Sequence, residues 1–332
     1  MTIHNRQWLL AARPKGAVDE SNFKLVEADV PILKDGQMLI RVHYLSLDPY
    51  MRGRMDETKS YAVPQPLNEV MIGGTVGEVL ESKNPNYQVG DMVVGAGGWQ
   101  EYYVSDGAGH IKVDAHRLPP SVYLGAVGMP GVTAWYGLSQ IGKPKPGETV
   151  VVSAASGAVG SVVGQLAKIY NCRAVGIAGG RTKCDYVVSE LGLDACIDYK
   201  SQDFRDAFKA ATPNGIDVVF ENVGGEVFDM SLARMNAFGR VAMCGLIAGY
   251  SGQDIALKNV RSILVNRLLI QGFIVSEHIA LWPQALKELG GYLTQGKIKY
   301  RESIVQGIAA TPKAFIGLLK GENFGKQLVK LI

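Results

Sequence analysis

The sequence predicts an α/β fold in which a doubly wound parallel sheet is joined to a second, mostly β domain. The parallel sheet is predicted by a strand, tight turn and helix within residues 149–170, and by about 140 residues of strand and helix alternation from there on. The β domain is predicted by residues 1–128, which hold short alternating strands punctuated by Gly, Pro and Asp. A chain of 332 residues is long enough for two such cores.

The first domain is expected to span residues 1–128 and to be completed by the tail, residues 300–332. Its predicted strands cover residues 37–44, 70–80, 92–95 and 100–105. Gly73, Gly74 and Gly77 fall inside one of these patterns and indicate a bulge or the close approach of another backbone. The tail is read as a helix over 282–293, a strand over 301–305, a helix over 311–319 and a strand over 326–332.

The second domain is expected to span residues 129–299. A helix begins at Pro130, where proline suits a first helical turn, and residues 143–147 end it before the strand at 149–154. A helix near 160–170 and a strand at 173–178 complete a βαβ unit. The alternation then continues with helices at 184–191, 203–211, 228–235 and 260–264 and strands at 195–198, 217–221, 240–244 and 268–273.

The turn at residues 155–160 reads ASGAVG and opens at the carboxyl end of a strand and the amino end of a helix. Backbone N–H groups and the helix dipole favour a phosphate there. Gly157 would let the main chain approach a pyrophosphate, and Gly160 would let the helix sit close to the strand, although Ala155 replaces the first glycine of the usual fingerprint. A dinucleotide site is therefore predicted, the alternative being a closely packed helix without a ligand.

The residues at the end of the next strand distinguish an NAD(H) site from an NADP(H) site. An NAD-binding chain normally carries an acidic residue there for the adenosine ribose, whereas residues 179–183 read GGRTK. Arg181 and Lys183 can reach a 2′-phosphate with charge-assisted hydrogen bonds. NADP(H) is predicted as the cofactor; the alternative is that both are solvated loop cations.

Composition excludes several other classes. The 34 basic and 31 acidic residues leave a net charge of +3, too small to indicate nucleic acid or membrane binding. The apolar run within residues 1–16 is too short for a secretory signal, so a cytoplasmic protein is expected. The four cysteines lack C-x-x-C spacing and pair with no nearby histidine, which favours reduced thiols and predicts no metal.

Taken together, seven segments resemble the zinc-independent medium-chain dehydrogenase/reductases of the leukotriene B4 dehydrogenase, prostaglandin reductase and alkenal double-bond reductase group, which includes bacterial NADPH-dependent curcumin reductases. The segments are LDPYMRGRM at 47–55, MPGVTA at 129–134, SGAVG at 156–160, ENVGG at 221–225, CGLI at 244–247, IQGF at 270–273 and GENFGK at 321–326. The resemblance implies a GroES-like catalytic domain, a Rossmann domain for NADP and a homodimer. Zinc-dependent relatives place a cysteine near 48 and Gly-His-Glu near 73, where this chain has Asp48 and Gly73-Gly74-Thr75.

The resemblance also implies a set of cofactor-binding residues. Lys183 and Tyr199 would hold the 2′-phosphate, and Asn323 would reach back from the tail. The pyrophosphate would be contacted by Gly157, Ala158, Val159 and Gly160. The ribose and nicotinamide side would be contacted by Asn222, Cys244, Gly245, Leu246, Ile247 and Tyr250. The carboxamide would be contacted by the backbone of Phe273, Ile274 and Val275.

The implied reaction is reduction of the C=C bond of an α,β-unsaturated aldehyde or ketone, such as a curcumin- or 15-oxoprostaglandin-type substrate. Hydride adds to the β-carbon, and the enolate oxygen then needs a hydrogen-bond donor before the α-carbon is protonated. Tyr250 resembles the family tyrosine that supports this oxygen. Tyr50 is a second candidate, as a donor or pocket wall, although a tyrosine in a proline-containing loop often packs locally.

Two alternatives stay open. The same cofactor could serve an NADPH quinone oxidoreductase, which would act on quinones and not on enones. A cofactor-bound structural or RNA-binding protein is the non-enzyme alternative, and the near-neutral charge argues against it.

Overall fold

The computed structural model describes residues 4–332 and divides them into two units. The split unit runs to Leu124 and resumes over Glu302–Ile332, and the central unit is Gly125–Arg301. One unit contains a parallel sheet and the other a mixed sheet, which confirms the predicted fold class. No helix among residues 4–332 is long and apolar enough to cross a membrane.

The amino-terminal part of the split unit is mainly β. Its elements are β1 (His4–Leu10), β2 (Phe23–Asp29), β3 (Met38–Ser46), α1 (Tyr50–Arg54), β4 (Thr75–Ser82), β5 (Met92–Gly95), β6 (Tyr102–Ser105) and β7 (Ile111–Lys112). The antiparallel pair β1 and β2 was not predicted, and β4 begins at Thr75, so the expectation that Gly73 and Gly74 lie inside a strand is wrong. Gly77 does lie in β4, where a Cβ atom would come 2.4 Å from the Arg41 carbonyl oxygen.

The central unit alternates helices with strands. Its elements are α2 (Met129–Tyr136), β8 (Thr149–Ser153), α3 (Gly160–Ile169), β9 (Arg173–Ala178), α4 (Arg181–Ser189), β10 (Ala195–Asp198), α5 (Phe204–Ala211), β11 (Ile216–Glu221), α6 (Gly225–Arg234), β12 (Met235–Met243), α7 (Arg261–Val265), β13 (Leu269–Gly272) and α8 (Trp282–Thr294). The strand order is β10-β9-β8-β11-β12-β13, and every pairing is parallel. The predicted doubly wound sheet is confirmed, with its switch of direction beside β8.

Three elements of the central unit begin clearly earlier than predicted; one of them is α6, which begins at Gly225 and not at Phe228. α4 begins at Arg181, three residues earlier than predicted, because Gly180 adopts a φ of +96° and turns the chain directly into the helix. Arg181 and Lys183 therefore belong to a helix, not to a loop. β12 begins at Met235 and is five residues longer at its start than predicted.

The tail adds β14 (Glu302–Gln306), α9 (Thr311–Leu319) and β15 (Lys326–Lys330) to the split unit. β15 pairs antiparallel with β3 and parallel with β14, which gives the sheet order β14-β15-β3-β4-β5-β7, with β6 also on β3. The core of this unit combines early and late residues: the Trp99 ring stacks on Phe23 at 5.0 Å and meets Phe315 edge-on at 5.4 Å. Burial of these rings fastens the tail to the amino-terminal strands.

Candidate functional site

The turn between β8 and α3 has a left-handed residue at its start. Ala154 adopts a φ of +51°, an uncommon conformation for alanine. Ala155, which replaces the first fingerprint glycine, is fully buried and donates its N–H to the Ile177 carbonyl at 2.9 Å. A Cβ on Gly176 would lie 2.7 Å from the Ala155 methyl group. The Ala155 methyl group thus occupies the space that Gly176 leaves open on the neighbouring strand β9. Position 155 therefore does not require a glycine.

The two remaining fingerprint glycines shape the start of α3. A Cβ at Gly160 would lie 2.3 Å from the Ala154 carbonyl oxygen, so only glycine fits this position. Gly157 donates its N–H to the same oxygen at 2.9 Å and closes the turn, with Ala158 and Val159 between the two glycines. In the first turn of α3, Ser161 donates its N–H to the Gly157 carbonyl at 3.0 Å, and Val163 donates to the Val159 carbonyl at 3.1 Å. The close backbone approach and the positive end of the helix dipole fit a pyrophosphate.

A cationic corner lies where β9 and β10 end. Lys183, in the first turn of α4, is half-buried, and burial together with the Lys200 ammonium lowers its pKa. The Tyr199 ring packs over Gly179, where a Cβ would come 2.8 Å from the ring, and stays 47% exposed. We call Lys183, Tyr199 and Lys200 the adenosine corner.

The adenosine corner is held together by the Asp198 carboxylate. One of its oxygens accepts the N–H of Gly180 at 2.7 Å and that of Lys200 at 2.9 Å. This acid therefore bonds to the backbone of both turns. Arg181, by contrast, has a side chain that is 92% exposed and lies 3.8 Å from Asp185. Lys200 was not among the predicted binding residues; its place directly after Tyr199 was the available signal.

The ends of β8 and β11 are joined by a buried carboxylate that sequence reasoning left without a role. Glu221 accepts three hydrogen bonds at one oxygen, from the N–H groups of Val223 at 2.6 Å and Gly224 at 2.8 Å and from the Ser153 hydroxyl at 2.9 Å. The Ser153 hydroxyl in turn accepts the N–H of Asn222 at 2.8 Å, and the Asn222 side-chain amide donates to the Ser153 carbonyl at 2.8 Å. Asn222 is thus held at both ends.

The second oxygen of Glu221 has no hydrogen-bond partner among the described residues. Burial is the main cause that raises the pKa of Glu221 to about 6, against the N–H donors that lower it. The neighbouring Cys244 thiol has its pKa raised to about 12 by burial and by the Glu221 charge. Both groups stand at the carboxyl edge of the parallel sheet, where ligands of such folds bind.

The segment after β12 is tied to the turn after β11. Cys244 and Gly245 donate their N–H groups to the Glu221 carbonyl at 2.9 and 3.1 Å, and Ile247 donates to the Asn222 carbonyl at 3.2 Å. Leu246 precedes a short 3₁₀ helix, Ile247–Gly249, that ends at Tyr250. Tyr250 is half-buried, and its hydroxyl lies 3.5 Å from the position that a Cβ on Gly245 would take. The hydroxyl therefore points back to the end of β12.

Residues 273–275 follow β13 at the same edge. The Phe273 ring packs against Tyr136 at 5.4 Å and against Phe220 at 6.2 Å. Ile274 accepts the N–H of Glu277 at 3.1 Å, and Val275 accepts the Trp282 indole N–H at 3.1 Å. These contacts fix the path of the backbone that was predicted to bind a carboxamide. The central unit thus aligns all the predicted cofactor residues except Asn323 along one sheet edge.

Tyr50 and Asn323 lie in the split unit. Tyr50 opens α1 and packs against the core around Trp99, and burial and the Asp48 charge raise its pKa, so its hydroxyl stays protonated at neutral pH. Asp48 itself forms a buried ion pair with Lys326 at 2.8 Å. Asn323 donates its amide to the Gly325 carbonyl at 2.7 Å. Within residues 4–332, no group of three or more His, Cys, Asp or Glu side chains is placed to hold a metal ion.

Comparison with protein families gives two matches. A family described as the N-terminal domain of oxidoreductase matches residues 6–113, and a family described as zinc-binding dehydrogenase matches residues 158–290. The first match lies within the split unit and the second within the central unit. The second match does not include the first 33 residues of the central unit.

Several proteins are similar over the full length. The NADPH-dependent curcumin reductase of Escherichia coli (strain K12) is 46% identical over 98% of this chain and 97% of its own. Prostaglandin reductase 1 of Rattus norvegicus is 40% identical over 99% of each chain, and the NADP(+)-dependent 2-alkenal reductase of Nicotiana tabacum is 38% identical over 98% and 97%. The crystal structure of CurA in complex with NADPH from Vibrio vulnificus superposes with a TM-score of 0.94 at 46% identity, over 98% of this chain and 99% of that one.

Proposed function

We propose that this protein is an NADPH-dependent reductase of C=C bonds conjugated to an aldehyde or ketone. The chain belongs to the zinc-independent medium-chain dehydrogenase/reductases, the family that includes the curcumin, prostaglandin and 2-alkenal reductases. The observation that carries this proposal is the 46% identity to a curcumin reductase along the whole of both chains. Relatives named for three different substrates share one bond type, an alkene activated by a carbonyl.

The cofactor is NADPH. The adenosine corner supports this assignment because it places two lysines, Lys183 and Lys200, just after the ends of β9 and β10, whereas an NAD site normally has an acidic residue after the second strand; residues 179–183 contain none. Lys183 and Tyr199 hold the 2′-phosphate, with Lys200 as an additional cation. The turn of Gly157, Ala158, Val159 and Gly160 holds the pyrophosphate at the start of α3.

The remaining contacts belong to the nicotinamide side. Asn222 and the segment from Cys244 to Tyr250 face the ribose, and the backbone of Phe273, Ile274 and Val275 holds the carboxamide. Hydrogen bonds hold these segments in place, such as those from the Asn222 amide to the Ser153 carbonyl and from the Ile247 N–H to the Asn222 carbonyl. This supports their roles, since a preorganised wall loses little entropy when it binds a rigid ring. The central unit binds NADP(H), and the split unit carries the substrate side.

When bound, NADPH supplies the hydride that adds to the β-carbon of the substrate. The π electrons move toward the carbonyl oxygen, and the Tyr250 hydroxyl donates a hydrogen bond to that developing charge. A proton then adds to the α-carbon and completes the saturated ketone or aldehyde. Tyr50 is the second candidate on the substrate side, as a hydrogen-bond donor or a pocket wall.

The protein forms a homodimer through the central units. β13 is an edge strand of the parallel sheet, and apolar side chains are exposed on and near it: Phe238 is 66% exposed, Leu264 79% and Leu269 54%. An open edge with exposed apolar side chains is typical of an interface between two copies. Sedimentation velocity should give twice the 35.8 kDa of one chain, and Leu264→Glu should lower this mass.

A stopped-flow screen of NADPH oxidation tests the activity. The panel contains enals, enones, 15-keto-prostaglandin-like acids, curcumin-like diarylenones and quinones, and NADH serves as the control cofactor. We expect oxidation with at least one class of enone or enal and a product whose C=C bond is saturated by mass. Turnover confined to quinones would replace this proposal with a quinone oxidoreductase, and the absence of NADPH binding by calorimetry would refute it.

A further inference from the structure

Two cysteines meet next to the adenosine corner. Cys184 lies in α4 and Cys196 in β10, and their Sγ atoms are 3.0 Å apart. A disulfide bond is about 2.05 Å long, so the two sulfurs are within about 1 Å of bonding distance. The other two thiols have no such partner: the Cys172 sulfur lies against the carbonyls of Lys145 and Tyr170, and Cys244 is at the end of β12.

The pair is placed to react with a small oxidant. β10 is one of the two edge strands of the parallel sheet. Cys196 on this strand is half-buried, and Cys184 is buried, with 7% of its surface exposed. The Cys196 thiol donates to the Cys184 sulfur, which lowers the pKa of Cys184 and raises that of Cys196. The thiolate is the reactive form of cysteine, so Cys184 is the nucleophile and Cys196 is the resolving thiol.

We propose that a peroxide converts Cys184 and Cys196 into a reversible disulfide, and that this bond weakens the binding of NADPH at the adenosine corner. The Cys184 sulfur attacks one peroxide oxygen, which forms a sulfenic acid and releases a water molecule when hydrogen peroxide is the oxidant. The Cys196 sulfur then displaces the hydroxyl group as a second water. Two thiols lose two electrons and two protons, and the peroxide is reduced to two waters. A dithiol reductant reverses the change by exchange.

The consequence for NADPH follows from the neighbours of each cysteine. Lys183 directly precedes Cys184, and Asp198, which bonds to the N–H groups of Gly180 and Lys200, is two residues after Cys196. Drawing the sulfurs together by about 1 Å shifts the first turn of α4 against β10. The groups that move are those that bind the 2′-phosphate, so NADPH is affected and NADH is not. This second part rests on the proposed function, whereas formation of the disulfide does not.

Mass spectrometry tests the modification in the full-length protein. After treatment with hydrogen peroxide, the wild type should lose the mass of two hydrogens. Alkylation of the remaining free thiols and digestion with a glutamate-specific protease, which cuts after Glu190 between the two cysteines, should then yield one peptide pair that links Cys184 to Cys196. Dithiothreitol should restore both thiols. Cys196→Ser should abolish the linked pair, and Cys172→Ser, the matched control, should leave it unchanged. Absence of the linked peptides, or a link to Cys172 or Cys244, overturns the proposal.

Calorimetry tests the effect on the cofactor. The oxidised wild type should bind NADPH at least about fivefold more weakly than the reduced protein, as expected for a coupling between neighbouring sites. Its affinity for NADH should stay the same, and Cys196→Ser should show no dependence on peroxide. Equal NADPH affinities for the two forms overturn the regulatory part. Failure of the reduced protein to bind NADPH refutes the proposed function instead and leaves the disulfide result unaffected.

Discussion

Replacing Lys183 by alanine tests the assignment of the adenosine corner. The Lys183 ammonium is half-buried in the first turn of α4 and would donate to a phosphate that carries negative charge. A charge-assisted hydrogen bond of this kind contributes about 1.5–3 kcal/mol, and each 1.36 kcal/mol is about tenfold in affinity. Lys183→Ala should therefore raise the Kd for NADPH about 10- to 150-fold. The increase is smaller if the Lys200 ammonium takes over part of the contact with the phosphate.

The assay is calorimetric titration of wild type and variant with NADPH and with NADH, which lacks the 2′-phosphate. The Kd for NADH should stay within about twofold, because the lost interaction involves only that phosphate. Arg181→Ala is the matched control in the same helical turn: its side chain is 92% exposed, so an effect below about fivefold is expected. Equal losses for NADPH and NADH, or equal losses in the two variants, would refute the reasoning.

Three further predictions concern catalysis, metal and pH. Tyr250→Phe should lower turnover in single-turnover kinetics while NADPH binding stays measurable, and unchanged turnover would exclude Tyr250 from a catalytic role. EDTA or 1,10-phenanthroline should leave the rate of NADPH oxidation unchanged; inactivation that zinc reverses would contradict this. The pKa of Glu221 is raised to about 6 from an ordinary 4.5. Its contribution to the free energy of unfolding therefore falls by about 2 kcal/mol in all as the pH rises between these two values and just beyond them. Glu221→Gln removes that titration. Urea unfolding should show wild type losing about this much stability relative to the variant between pH 4.5 and 7, whereas a difference that does not change with pH would contradict the assignment.

Much of the fold could be predicted because its signals are local. The strands at 92–95, 173–178 and 195–198 and the helix at 311–319 have the predicted bounds, since alternation, β-branched runs and helical spacing are read within one segment. β1 was missed because HNRQWLL alternates weakly, and its pairing partner β2 lies across a turn of 12 residues. Pairing with β2 and burial of Leu10 stabilise it in the folded chain.

The candidate site divides in the same way. Gly157, Gly160 and Lys183 could be recognised from the sequence, because a phosphate turn and the residue type after the next strand are short-range patterns. Lys200 and the pair of Cys184 and Cys196 could not, because no motif marks them, and Glu221 belongs to the ENVGG segment, which gave it no role. Ser153 and Glu221 are 68 residues apart in the chain, and the two cysteines are separated by 12.

The sequence by itself determined the alternation of strands and helices in the central unit, the phosphate turn and the preference for a phosphorylated dinucleotide. These properties depend on backbone conformation and residue type within a few neighbouring positions. Only the tertiary structure decided which polar groups share hydrogen bonds: the Glu221 carboxylate with Ser153, the Asp198 carboxylate with two turns, and one thiol with another. The raised pKa of Glu221 and the reactivity of the thiol pair arise from desolvation and from contacts between separate segments, which exist only in the folded chain.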